Sequence, residues 1–199
     1  MRELRVLRTA NVAEAAAAAT SRFRDLAAGA GLLDVAYARV PSPVGDLLVA
    51  STRRGLVRVA FPHELPGDVV DELAGLVSPR VLEAPGRLDE VRRELDEYFE
   101  GKRTRFEVPV DMALTRGFVR KVLRATSRIP FGSVSTYKDV ARRAGNERAY
   151  RAAGNALGAN PIPIVVPCHR VVHSGGGLGG YGGGLDVKRF LLRLEHALE

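Results

Sequence analysis

The sequence predicts an α/β (α+β) protein, an N-terminal β-sheet scaffold followed by a C-terminal helical domain carrying a helix-turn-helix-like element and an active-site loop. Three observations lead there. Short β-type apolar runs cut by Gly and Pro fill the first half, and helically spaced apolar residues fill the second. The charge divides unevenly: residues 1–112 hold 16 Lys/Arg against 18 Asp/Glu, while residues 113–199 hold 14 against 5. The whole formal excess of +7 therefore belongs to the second half, which is the footprint of a phosphate-binding face.

In chain order, residues 1–30 read as an N-terminal extension. Its Ala-rich stretch, 9–30, predicts a helix with Phe23 and Leu26 as its sizeable apolar anchors. Residues 31–111 form the scaffold. Val35–Val40, Leu47–Ser51 and Leu56–Phe61 predict strands, and the turns at Pro41–Gly45 and Arg53–Gly55 make them an antiparallel meander. Leu88, Val91, Leu95 and Phe99 recur at helical spacing before Gly101, and Arg105–Val110 reads as another short strand. With no Cys and only His63, this half offers no metal-ligand cluster.

Residues 112–199 form the second domain. Thr115 is the expected cap of a helix carrying Phe118, Val119, Val122 and Leu123. Thr136 and Asp139 have capping-box-like spacing at the start of a helix through Ala144, with Gly145 as terminator. Asn146 or Glu147 opens the next helix, which is built almost wholly of small residues and ends at Asn160-Pro161. Two short helices around a Gly-containing turn make a helix-turn-helix. Asn160 to Val166 then reads as an apolar strand delivering Pro167-Cys168-His169-Arg170 at its end. Ser174–Gly184 places eight glycines in eleven residues around Tyr181, and a final helix carries Val187, Phe190, Leu191, Leu194 and Leu198 on one face, with Glu195 at its border.

Cys168 is the only cysteine. A free thiol with a pKa of about 8.5 is mostly protonated at neutral pH, and His169 and Arg170 are local sources of the base or positive field that makes a thiolate. No run of eighteen apolar residues exists, so no transmembrane helix is expected. The first residues lack the apolar stretch of a secretory signal, which makes the cytoplasm the expected compartment.

The Pro-Cys-His-Arg core with Asn160 eight residues upstream, joined by Tyr137, Arg151, Tyr181, Lys188 and Glu195, resembles the O6-alkylguanine-DNA alkyltransferases over residues 35–199. The resemblance implies irreversible transfer of one alkyl group from O6-alkylguanine in DNA to Cys168, without cofactor or metal. The implied partner is double-stranded DNA, entered from the minor groove by a monomer that flips the damaged base. It implies a Glu195–His169–water–Cys168 relay, braced by Asn160, with Tyr137 as proton donor to the leaving guanine. Tyr181, Gly182, Val171 and Lys188 are implied to hold the base, Lys188 keeping charge near O6. Arg151 is the implied finger that fills the base stack, with Arg170, Ala152, Gly154 and Ala156 also facing DNA. Many relatives carry serine where this chain has Gly182. From the residues alone, two other readings stand: a helix-turn-helix regulator that needs no Cys168, and a cysteine hydrolase that turns over.

Overall fold

A computed structural model describes residues 32–198 together with Ala15, Ala18, Ala19, Thr20, Arg22 and Leu26 of the N-terminal segment. Those six are helical and Leu26 is exposed; the rest of the expected helix, Phe23 included, lies outside the described residues. The first half is a four-stranded sheet in the order β3-β2-β1-β4: β1 (Val35–Val40), β2 (Leu47–Thr52), β3 (Gly55–Ala60) and β4 (Val81–Glu83). The first three form the expected antiparallel meander. Two elements were not anticipated: β4, which adds parallel to β1, and the helix that leads to it, α1 (Pro66–Leu76). The three residues of β4 are too few to show a period of two, and Pro66 at the first turn of α1 is the start signal that was available.

Side chains alternate across the sheet. Leu47 and Val49 of β2 face the main core, whereas Leu48 and Ala50 face α1 and its Val69 and Leu73. The main core continues from the sheet through α2 (Asp89–Phe99) into the second half, and buries Val122, Leu123, Ile164 and Leu191 together with Leu56 and Leu95. Both halves thus share one apolar interior.

Arg105–Val110 is not a strand. Glu94, fully buried on α2, accepts from the backbone N–H groups of Glu107 (2.8 Å) and Val108 (3.2 Å), and Pro109 has no N–H to offer a ladder. Only Val110 bridges the sheet, at Leu56. Glu94 carries out on backbone what the expected strand would have done. Leu56 N–H donates to the Pro109 carbonyl at 2.8 Å, and Gly55 beside it holds φ +134°; a Cβ there would lie 2.2 Å from the same carbonyl oxygen.

The second half contains α3 (Gly117–Thr126), α4 (Tyr137–Arg143), α5 (Tyr150–Gly158) and α6 (Leu185–Leu194), with a two-stranded parallel pairing of β5 (Ser135–Thr136) and β6 (Val171–Val172). Thr115 does not cap α3: Arg116 holds the cap position, and the Thr115 hydroxyl donates to the Met112 carbonyl instead. Thr136 does cap α4, accepting from Asp139 N–H at 3.1 Å. Gly145 (φ +98°) ends the turn, and Asn146 opens a short 3-10 turn that runs into α5. The expected strand before Cys168 is also absent. Pro161, Pro163 and Pro167 supply no N–H, Ile164 takes φ +72°, and Cys168–Arg170 forms a 3-10 turn. One bond seats this segment on the sheet, from Val59 N–H on the edge strand β3 to the Pro161 carbonyl at 2.8 Å. No helix of the described residues is long and apolar enough to cross a membrane.

Gly55→Ala is expected to cost about 1–3 kcal/mol or more, from the positive φ together with the collision at Pro109. Gly75→Ala, in α1 with nothing within 4 Å of its Cβ position, should stabilise by about 0.5–1 kcal/mol. Urea unfolding of both variants checks the pair, and equal effects would refute the assignment of strain to Gly55.

Candidate functional site

Cys168 is 6% exposed and lines a cavity of about 680 Å³. α5 supplies one wall with Arg151, Gly154 and Leu157, while Tyr137, His173, Tyr181 and Gly182 supply others. The 3-10 turn holds the thiol at the end of the Pro-rich segment, and Asn160 fixes that segment from within. Asn160 Nδ2 donates to the Val166 carbonyl (2.9 Å) and to Cys168 Sγ (3.1 Å), while its Oδ1 accepts from Ile162 N–H (3.1 Å). Burial pushes the Cys168 thiol up to about 11 against the opposing effects of the Asn160 hydrogen bond and the Lys188 charge. At rest Cys168 is therefore a thiol.

Behind it lies a closed network. Glu195 follows the last residue of α6 and is fully buried, not the solvated carboxylate usual at a helix end. It accepts from Tyr98 Oη (2.6 Å), His169 Nε2 (2.8 Å), and Arg170 Nε (2.7 Å) and Nη2 (2.8 Å). Burial alone would raise Glu195, but the hydrogen bonds from His169 and Arg170 outweigh it and hold the carboxyl down at about 2. An ionised carboxylate only accepts, so His169 carries its proton on Nε2, and Nδ1 is the basic nitrogen. That Nδ1 is buried and has no protein partner. Burial lowers the His169 pKa even though Glu195 favours the charged ring. Glu195 thus favours the charged ring, but burial is the larger effect. The carboxylate orients a neutral ring.

Other expected residues fall in two groups. Tyr137 is half-buried, its ring 5.0 Å from that of His173, and burial raises its pKa, so its hydroxyl stays protonated. Tyr181 stands edge-on to His169 (6.2 Å) and Phe61 (5.7 Å). Arg151 is exposed, its guanidinium 5.9 Å from the Tyr150 ring at the cavity wall. Ala152 is exposed and Gly154 packs against Tyr137.

Four residues differ from expectation, Lys188 among them because it is fully buried and does not line the cavity. Arg170 faces inward at 7% exposure, because Glu195 and the Ile129 carbonyl (2.6 Å) take its donors; it positions the carboxylate and is not on the DNA-facing surface. Ala156 is buried with Ala153 and Leu157, since the helical period turns those three toward the core. Val171 is a core residue whose carbonyl accepts from Lys188 Nζ (2.7 Å); its side chain does not line the cavity. Lys188 also donates to the Leu178 carbonyl, and burial lowers its pKa to about 8. Its charge is felt at Cys168, and its donors hold the loop that follows β6.

Tyr98 was missed as a site residue. It reads in sequence as one more apolar position of α2, and only its hydroxyl distinguishes it from the neighbouring Phe99. The Gly-rich loop is fitted rather than slack. A Cβ on Gly179 (φ +69°) would lie 2.3 Å from Tyr137 Oη, and one on Gly183 would meet the Phe61 ring at 2.7–2.9 Å.

Comparison with known proteins gives one answer over most of the chain. Residues 35–112 match the family model described as 6-O-methylguanine DNA methyltransferase, ribonuclease-like domain. Residues 117–197 match 6-O-methylguanine DNA methyltransferase, DNA binding domain. A methylated-DNA–protein-cysteine methyltransferase of Methanosarcina barkeri is 38% identical over 164 residues, covering 80% of this chain and 96% of the relative. The inducible enzyme of that name from Bacillus subtilis is 42% identical over 152 residues, covering 75% and 84%. The Mycobacterium tuberculosis OGT solved in complex with DNA superposes with a TM-score of 0.70 at 35% identity, covering 81% of this chain and 93% of that one.

The network sets two outcomes. Because the folded Glu195 pKa lies below its usual 4.5, its stabilising contribution is complete above pH 4.5 and drains away as pH falls toward 2. Glu195→Gln should remove that acid-dependent loss and cost about 3–5 kcal/mol at neutral pH, because it leaves the Arg170 charge buried and unpaired. Urea unfolding at several pH values reads both effects, and parallel curves for the two proteins would contradict them. Separately, iodoacetamide labelling of Cys168 should be slow at pH 7 and rise about tenfold per pH unit toward 11.

Proposed function

The chain belongs to the 6-O-methylguanine DNA methyltransferase family, and from that premise we propose that Cys168 itself accepts the alkyl group from O6-alkylguanine in DNA, once per molecule, in direct reversal of the damage. The observation that carries this reading is the placement of the only cysteine. Its sulfur borders a cavity roomy enough for a flipped base, under the exposed face of α5, with Asn160 on the sulfur and three tyrosines among the walls.

The chemistry follows from the groups in place. His169 Nδ1 takes the Cys168 proton through water, and the thiolate attacks the alkyl carbon. The S–C bond forms as the C–O6 bond breaks, and its electron pair leaves on guanine. Tyr137 protonates the guanine ring as that charge develops, because an unprotonated guanine anion is a poor leaving group. The proton held on His169 then returns through water to the Tyr137 phenolate, and the products are a thioether on Cys168 and guanine, with no electron or co-reactant required. Asn160 Nδ2 donates to the sulfur while it carries charge, and Lys188 adds a positive field. Since the resting thiol has a pKa of about 11, deprotonation belongs to the reactive complex and not to the free protein.

A base stacked in a duplex cannot reach this sulfur. The bound DNA is double-stranded and is approached from its minor groove by a monomer acting in the cytoplasm. The exposed small residues of α5, Ala152 among them, allow close approach to the groove, and Arg151 fills the stack after the base is extruded.

Intact-mass analysis after exposure to O6-methylguanine duplex is expected to show one added methyl per molecule, mapped to Cys168, with no turnover. Cys168→Ser should bind DNA without transfer. Multiple turnovers would favour a hydrolase instead. Arg151→Ala should slow duplex repair on the order of tenfold to hundredfold, since unstacking costs a few kcal/mol, while sparing reaction with free O6-benzylguanine. Equal losses on both substrates would place Arg151 in the pocket.

A further inference from the structure

Cys168 lines two cavities. Beside the 680 Å³ base pocket lies a second space of about 360 Å³, reaching from the sulfur toward the N-terminal sheet. Leu157, Gly158, Cys168 and Gly182 border both. A Cβ at Gly182 would meet nothing within 4 Å, so the junction is open. The far wall of the smaller cavity comes from the sheet and α1. There Arg58 Nε donates to Glu72 Oε2 at 3.2 Å, its Nη2 pairs with Glu64, and its Nη1 donates to the Val59 carbonyl at 2.8 Å. The guanidinium is committed to these partners, and one cation faces two carboxylates. Arg58, Glu64 and Glu72 together give this lining a charge of −1.

Resting on the function proposed above, we propose that Glu72, at the polar end of this second cavity, sets a charge preference for adduct tails larger than methyl, favouring tails that end in a positive charge or a hydrogen-bond donor. The argument is one of direction. Displacement requires sulfur, alkyl carbon and O6 in line, and the flipped guanine fills the larger cavity on the O6 side. Atoms beyond the reacting carbon then need another void that touches the sulfur, and the smaller cavity is that void. Its polar end presents carboxylate oxygen in excess. A terminal ammonium finds Glu72, whose side chain is 39% exposed and so remains reachable; a terminal carboxylate meets like charge.

The test measures single-turnover transfer from duplexes carrying O6-methyl-, O6-pentyl-, O6-(4-aminobutyl)- and O6-(3-carboxypropyl)guanine. The native protein should transfer aminobutyl faster than the near-isosteric pentyl group, and carboxypropyl slowest of the three long tails. Glu72→Gln should lower the aminobutyl rate roughly threefold to fivefold, the scale of a half-exposed ion pair, with methyl and pentyl rates unchanged. Glu72→Lys should invert the order of aminobutyl and carboxypropyl. An aminobutyl-to-pentyl ratio that neither variant alters overturns this charge preference, as does equal slowing of all four substrates. Failure of the native protein to take even methyl overturns the proposed function itself.

Discussion

The buried carboxylate of Glu195 is the interaction around which the rest is assembled. An isolated charge at that depth would cost several kcal/mol, and the fold meets the cost with donors from both halves of the chain. Tyr98 comes from α2 of the N-terminal half, while His169 and Arg170 come from the turn that carries Cys168. The anion is stable only when all three are in place. Docking of the sheet-bearing half and orientation of the His169 imidazole are therefore one event. The continuous apolar core supplies the bulk of the cohesion, and Glu195 specifies the arrangement.

The same burial governs reactivity. Burial keeps the thiol protonated and the ring neutral. Asn160 and Lys188 act against this in a limited way, through a hydrogen bond and a nearby charge. A cysteine so restrained is quiet toward indiscriminate electrophiles; on the function proposed above, it becomes nucleophilic only as its proton passes to His169 while an alkyl carbon stands in line with the sulfur. On the proposed single transfer, restraint is as useful as activation.

Much of the fold was legible because its signals are local. The three strands of the meander, the turn glycines and the Thr136 cap depend on near neighbours, and each lies where the sequence places it. The elements that were misread depend on partners distant in sequence. Arg105–Val110 looks like a strand until the Glu94 carboxylate takes its N–H groups, and the segment before Cys168 looks like one until its prolines and the bond to Val59 are considered together. The residues of the site were recognisable by their motif, but which way they face was not. Arg170 and Ala156 look outward in a sequence and turn inward in the structure, because Glu195 claims one and the helical period the other. Tyr98 carried no signal of its own, since its role rests on a hydroxyl 97 positions from its acceptor.

The Gly-rich loop has a consequence for engineering. Its glycines at 179 and 183 are hollows shaped by Tyr137 and Phe61, one aromatic from each half of the chain. The loop is thus half of a mould whose other half lies elsewhere. Grafted alone onto another scaffold, it would bring its flexibility without its shape. A transplant that preserved the base pocket would have to carry both rings with it, and a redesign that enlarged either ring would have to begin by cutting back the loop.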